Sequence, residues 1–230
     1  MAIAIQIPSS GYDTYDDLVA AVSDYLDGQV DTTQLGGWVG LVEAEINRRL
    51  ALRPVRPQLI RDTIALDAEY VDLPDDLMKV HSLDFENSYD DRKSLRFVDH
   101  IGLVDDVANP VPREWLFSTT VDYTGEPEVG AVIDGEMRVY PVPDATYAGS
   151  LLYYARLPAL SSANQSNWFL SHHSDVYLYG MMFHANTFLP DKETAAQWFD
   201  LFDTRLQQVL TAYPSPPVRR QLRTDLSGFV

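Results

Sequence analysis

Apolar side chains recur every three to four positions from Tyr15 onward: Tyr15, Leu18, Val19, Val22, Tyr25 and Leu26. That spacing predicts a helix with one buried and one wetted face. Asp13 serves as its N-cap and Gly28 as its stop, so it reaches about Asp27. Asp31 or Thr32 opens a second helix running to about Leu52, with Leu35, Trp38, Leu41, Val42, Ile46 and Leu50 as its stripe. Pro54 and Pro57 end it. From about residue 56 to 160 the period shortens towards two. Residues 59–66 and 69–73 predict short strands around a turn near Asp67. Leu73-Pro74-Asp75-Asp76 predicts a turn followed by one helical turn, and Val80, Leu83 and Phe85 the next strand. Residues 97–107 predict a short helix with Phe97, Ile101 and Val104 on one face. Residues 109–112 predict a loop and 115–123 a strand. Residues 131–133 and 137–140 flank Asp134-Gly135, a strong hairpin signal. Pro141 and Pro143 end that strand, and 150–157 predicts another. Helical spacing returns over 172–189, with Val176, Tyr179, Gly180, Phe183 and His184 on one side. A last helix carries Ala195, Trp198, Phe199, Phe202, Leu206, Val209 and Leu210, and Pro214, Pro216 and Pro217 forbid its continuation.

The order predicts an α+β fold. Helices 1–55 and 161–213 form one bundle, 56–160 is a strand-rich insert, and 214–230 is an extended C-terminal tail. Hydrophobic residues make up 46% of the 230 positions, enough for a packed core, which excludes a disordered chain. Residues 1–8 are apolar but too short for a signal segment and lack a basic start, so no leader is expected. No run of eighteen apolar residues is long enough to span a membrane.

Charge changes the picture more than composition does. The formal net charge is −17, which gives no general footprint for nucleic acid or an anionic membrane. No basic residue precedes Arg48, whereas Asp13, Asp16, Asp17, Asp24, Asp27, Asp31, Glu43 and Glu45 do. Arg48, Arg49, Arg53, Arg56 and Arg61 then follow closely. The tail holds Arg219, Arg220 and Arg223 against Asp225, and ends in Leu226 and Phe229-Val230. Such a segment is either a frayed terminus or a strap that orders on a partner.

Candidate chemistry is sparse. The chain has no cysteine, which removes disulfides, thiolate catalysis and thiolate metal sites. His172-His173 with Asp175 reads as a surface pair at a helix start, because adjacent helical side chains point apart. His184 among Phe183 and Phe188 reads as a partly buried histidine. Asp75-Asp76, Asp90-Asp91 and Asp105-Asp106 read as solvated turn acids rather than a carboxylate pair straddling a bond. Gly36-Gly37-x-x-Gly40 lacks the lysine of a phosphate loop, and reads as a site of close helix approach or a kink. Asp13 to Asp24 lacks the glycine and terminal glutamate of a calcium loop. Trp38, Trp115, Trp168 and Trp198 read as core. No catalytic residue, metal or cofactor is expected.

The succession of signals resembles the tailed-bacteriophage head-to-tail connector proteins called adaptors. The residues that carry the resemblance are Trp38-Val-Gly-Leu-Val-Glu-Ala-Glu-Ile-Asn-Arg-Arg-Leu50, Leu73-Pro74-Asp75-Asp76-Leu77-Met78, Gly125-Glu-Pro127 and Gly135-Glu-Met-Arg-Val-Tyr-Pro141-Val-Pro143. They continue with Leu151-Leu-Tyr153-Tyr154-Ala-Arg-Leu-Pro158-Ala-Leu160-Ser161, Asn167-Trp168-Phe-Leu170, Asp175-Val-Tyr177-Leu-Tyr179 and the helix of Trp198. Where the family often has an aromatic shortly after Gly-x-Pro, this chain has Glu128-Val129-Gly130. The resemblance implies a non-enzymatic virion protein at the head–tail junction, assembled in the host cytoplasm. It implies a twelve-fold ring beneath the portal, with DNA passing through unbound and a stopper, nozzle or tail protein on the other face.

A ring of like subunits uses two different, complementary patches. The acidic first helix (Asp16, Asp17, Asp24) and the patch of Arg48, Arg49 and Arg53 are the expected subunit contact. Arg219, Arg220, Leu222, Arg223, Leu226 and Phe229 are the expected portal-docking residues. The alternatives are a stopper or tail-completion protein of the neck and, from a different class, a carbohydrate-binding module presenting exposed aromatics on one sheet face.

Overall fold

A computed structural model describes residues 12–87, 89, 91–97, 124–189 and 192–214. Helix α1 spans Tyr15–Tyr25. Its N-cap is Thr14, not Asp13: the threonine side chain accepts from the Asp17 N–H, and its hydroxyl donates to the Asp17 carboxylate at 2.6 Å. Helix α2 spans Thr32–Leu52 and is capped by Asp31, as expected. Helix α3, Trp168–Phe188, starts earlier than the spacing predicts because Asn167 caps it, its side chain accepting from the Leu170 N–H at 2.8 Å. The first turn is offset from the rest by a kink at His173, whose backbone is non-helical. Helix α4 is Lys192–Ala212.

The four helices pack around α3. One apolar core takes in Leu18 and Val22 of α1, Leu35, Val39, Val42, Ile46 and Leu50 of α2, Val176, Met181 and Ala185 of α3, and Phe202, Leu206 and Leu210 of α4. Gly180 lets three helices meet. A Cβ at that position would lie 2.7 Å from Val42 and 3.1 Å from Phe202.

Two sheets fill the middle of the chain. The first has the order β1-β10-β3-β4, antiparallel throughout, with β1 at Leu59–Leu66, β3 at Leu77–Glu86, β4 at Arg92–Ser94 and β10 at Tyr147–Ala155. The second has the order β2-β8-β7-β5, with β2 at Tyr70–Asp72, β5 at Arg96–Phe97, β7 at Val129–Ile133 and β8 at Glu136–Tyr140. Strands β6 (Thr124–Gly125) and β9 (Val142–Pro143) form a small parallel pair. Leu66, Leu83, Phe85 and Leu151 from the first sheet share a second core with Val71, Met137 and Val139 from the other.

The Asp134-Gly135 hairpin forms as expected; both residues have positive φ, 53° and 90°, the mirror-image turn that Gly supplies without strain. Other expectations are corrected. The strands either side of Asp67 do not pair with each other: β1 joins β10 and β2 joins β8. No helical turn follows Pro74, because Asp75 and Asp76 form a tight turn, Leu77 donates to the Pro74 carbonyl, and β3 begins there. Phe97 lies in β5 rather than opening a helix. Ile101, Val104, Trp115 and the rest of 98–123 lie outside the described residues, as does the tail beyond Pro214.

Candidate functional site

The segment 156–167, between β10 and α3, is tied to α2 by buried polar groups. Glu43 and Asn47 are one turn apart and face it together. The Leu157 N–H donates to Asn47 Oδ1 and the Leu160 N–H to Glu43 Oε1, both at 2.9 Å. Tyr177 of α3 donates its hydroxyl to the same Glu43 oxygen at 3.2 Å, and accepts from Asn167 Nδ2 at 3.0 Å. Asn167 Nδ2 also reaches the Pro158 carbonyl. Burial raises the Glu43 pKa above its ordinary value, opposed by the hydrogen bonds from Leu160 and Tyr177. Burial likewise raises that of Tyr177, with the Glu43 charge adding to it. Gln58, buried at the foot of the first sheet, accepts from the Val55 N–H and donates to the Ala155 carbonyl, both at 3.0 Å. The bundle and the sheets are thus joined by a fixed set of hydrogen bonds rather than by a loose linker.

The expected contact residues occupy two separate surfaces. On α1, Asp16 accepts from Gln165 Nε2 at 3.0 Å, Asp17 is engaged at the cap, and Asp24 is exposed. On α2, Arg48 pairs with Glu45. Arg49 pairs with Glu45 at 2.8 Å and with Asp203 of α4 at 3.1 Å, bracing α2 to α4 within the subunit. Arg53, Arg56 and Arg61 are exposed, and among the described residues no ion pair engages them. The docking positions Arg219, Arg220, Leu222, Arg223, Leu226 and Phe229 lie outside the described residues.

Other candidates take structural places. His172 is exposed, with Nδ1 at 2.8 Å from the Trp168 carbonyl. His173 is half-buried between Phe169 and Tyr213. Burial lowers the pKa of both His173 and His184 below the ordinary histidine value. The acid Asp76 accepts from Tyr153 at 3.0 Å rather than standing free in solvent. Burial, with Asp76 next, pushes the Tyr153 phenol up to about 12. Among the described residues no group of His, Asp and Glu is arranged to hold a metal ion, and no helix is long and apolar enough to cross a membrane. Tyr147, Tyr153 and Tyr154 are buried and Trp38 and Trp198 belong to the helical core, whereas Tyr70 and Tyr89 in the strand-rich region are exposed.

What the geometry displays is a braced bundle-and-sheet body with an acidic face and a basic edge. Residues 13–222 match the family described as SU10 adaptor protein. The chain belongs to that family. The match runs through the bundle and both sheets, so the adaptor body is the whole described fold. This adaptor is a bacteriophage structural protein, and membership in the family implies scaffolding rather than a reaction. No curated protein matches the sequence. Glu43 and Asn47 were missed as functional positions by sequence reasoning. Their signal was an acid and an amide spaced i, i+4 beside the apolar stripe of α2, where solvent-facing residues are not expected.

Proposed function

We propose that this adaptor assembles as a closed ring beneath the portal, joins the capsid to the tail, and leaves an axial passage for DNA. The family match over 13–222 carries the reading. Two properties of the chain support it. A subunit of net charge −17 offers passing DNA little to release counterions against. A body cross-braced by Gln58, Glu43 and Asn47 keeps its shape when stacked between two other rings.

The C-terminal segment is the portal contact. Its arginines would meet acidic groups, and Leu222, Leu226 and Phe229 would fill apolar notches. The test is cryo-microscopy of the full chain mixed with its portal, beside a chain lacking 215–230. The full chain is expected as a ring on the portal, and the shortened chain as a folded subunit that stays in solution. A shortened chain that still joins the portal overturns the tail's role. A full chain seated lower in the neck makes the protein a stopper or tail-completion component instead.

A further inference from the structure

The outward face of α2 is unlike a solvated helix. Between Gly37 and Leu52 its exposed positions are Gly37, Gly40, Leu41, Ala44, Arg48, Ala51 and Leu52, and Arg48 alone is charged. Leu41 is 52% exposed and Leu52 81%. Alongside runs a groove of about 330 Å³ between α2 and α4, lined by Leu41, Ala44, Glu45 and Arg48 of α2, Phe199 of α4, and Phe183 and His184 of α3. Phe199 is itself 40% exposed. A Cβ on Gly37 or Gly40 would touch nothing within 4 Å, so the fold of the subunit does not call for glycine at either position.

Exposed leucines and glycines clustered beside an apolar groove fit a contact with another molecule, and charge selects which. Arg48 of α2 and, just past its end, Arg53 and Arg56 are exposed. The matching surface belongs to the chain itself: α1 exposes Asp16, Asp17 and Asp24, with the small Ala20 between them and Tyr25 at its end. Because each copy carries a large negative charge, a contact in which the rare basic surface faces acid is favoured over one in which acid faces acid. Eleven residues of α1 span about 16 Å at 1.5 Å per residue, about two-thirds of the run from Gly37 to Leu52.

We propose that the outer face of α2, with the groove beside it, is the seat for α1 of a second copy. Ala20 packs over Gly40 and Ala44, while one acidic end of α1 faces Arg48 and Arg53. The contact is heterologous, α2 of one subunit on α1 of the next, which is what ring closure needs. Arg48 shares Glu45 with Arg49 but is the more exposed of the two and can turn to an incoming acid, whereas Arg49 is held by both Glu45 and Asp203 and takes no part. This inference rests on the ring reading and names the joint within it.

The absence of native cysteine makes the test clean. Full-length copies carrying Ala20→Cys are mixed with copies carrying Ala44→Cys, assembled on the portal and oxidised, with Gly40→Cys and Ala51→Cys as neighbouring registers. A disulfide-linked dimer is expected in the mixture for at least one register, and in neither copy alone. A second variant, Leu41→Asp, is expected to keep its helical circular dichroism and lose ring yield about tenfold or more. Rings that form without any such dimer, or Leu41→Asp subunits that assemble normally, overturn the joint and leave the ring reading intact. Subunits that form no ring on the portal overturn both.

Discussion

Glu43 sits on α2 among Val39, Val42 and Ile46, where periodicity would put a hydrocarbon side chain. It is kept because Leu160 and Tyr177 need an acceptor, and the cost is a carboxylate held in a dry place. Its pKa is raised, so the folded state holds the proton more tightly than the unfolded chain. Its contribution is then full at low pH and is lost as pH rises through the folded value. Glu43→Gln keeps the accepting oxygen and removes the charge. It is expected to unfold later than the parent at pH 7, with the difference closing as pH falls towards 4.5, measured by urea unfolding across pH. Glu43→Ala leaves a buried N–H and a hydroxyl unpaired and is expected to lose about 1–3 kcal/mol. The half-buried histidines act in the opposite sense. The pKa values of His173 and His184 are lowered, so the unfolded chain takes up protons first as pH falls below about 6.5, and the fold weakens. Replacing both by Gln should flatten the loss of thermal stability between pH 6.5 and 5; an unchanged slope would assign it to other groups.

Elements were legible in proportion to how local their causes are. The helices followed from 3.6-residue spacing and from Asp31 and the prolines, and the β7–β8 hairpin from Asp134-Gly135. Strand partners were not legible. β1 pairs with β10, almost ninety residues downstream, and nothing in either strand names the other. The stripes also overreached: Leu41 and Phe199 keep core spacing yet lie exposed, because no further helix among the described residues covers the α2–α4 side. The candidate site was half legible. The basic and acidic clusters were visible in the sequence, whereas the internal use of Arg49 depends on α4 arriving beside α2. Glycines on different elements should therefore respond differently. Gly180→Ala drives a methyl into Val42 and Phe202, and is expected to lower stability by about 1–3 kcal/mol. Gly37→Ala meets open space in a helix interior, and is expected to raise the stability of the isolated subunit by about 0.5–1 kcal/mol. Chemical denaturation of the two variants checks both signs.

For the whole molecule, the dominant physical fact is its charge. At −17 per copy, an assembly of several copies creates a strongly negative field, which salt screens over about 10 Å at 0.1 M. The assembled adaptor is expected to show no retention of duplex DNA in a gel-shift assay at moderate salt, with tight retention overturning passive passage. The placement of the chain ends has a mechanical consequence. Pro214, the last described residue, bridges back to Val55, three residues past the end of α2 and just before β1. Tension on whatever follows Pro214 is therefore delivered to the root of the first sheet, beside the Gln58 bonds, rather than to the free tip of a helix.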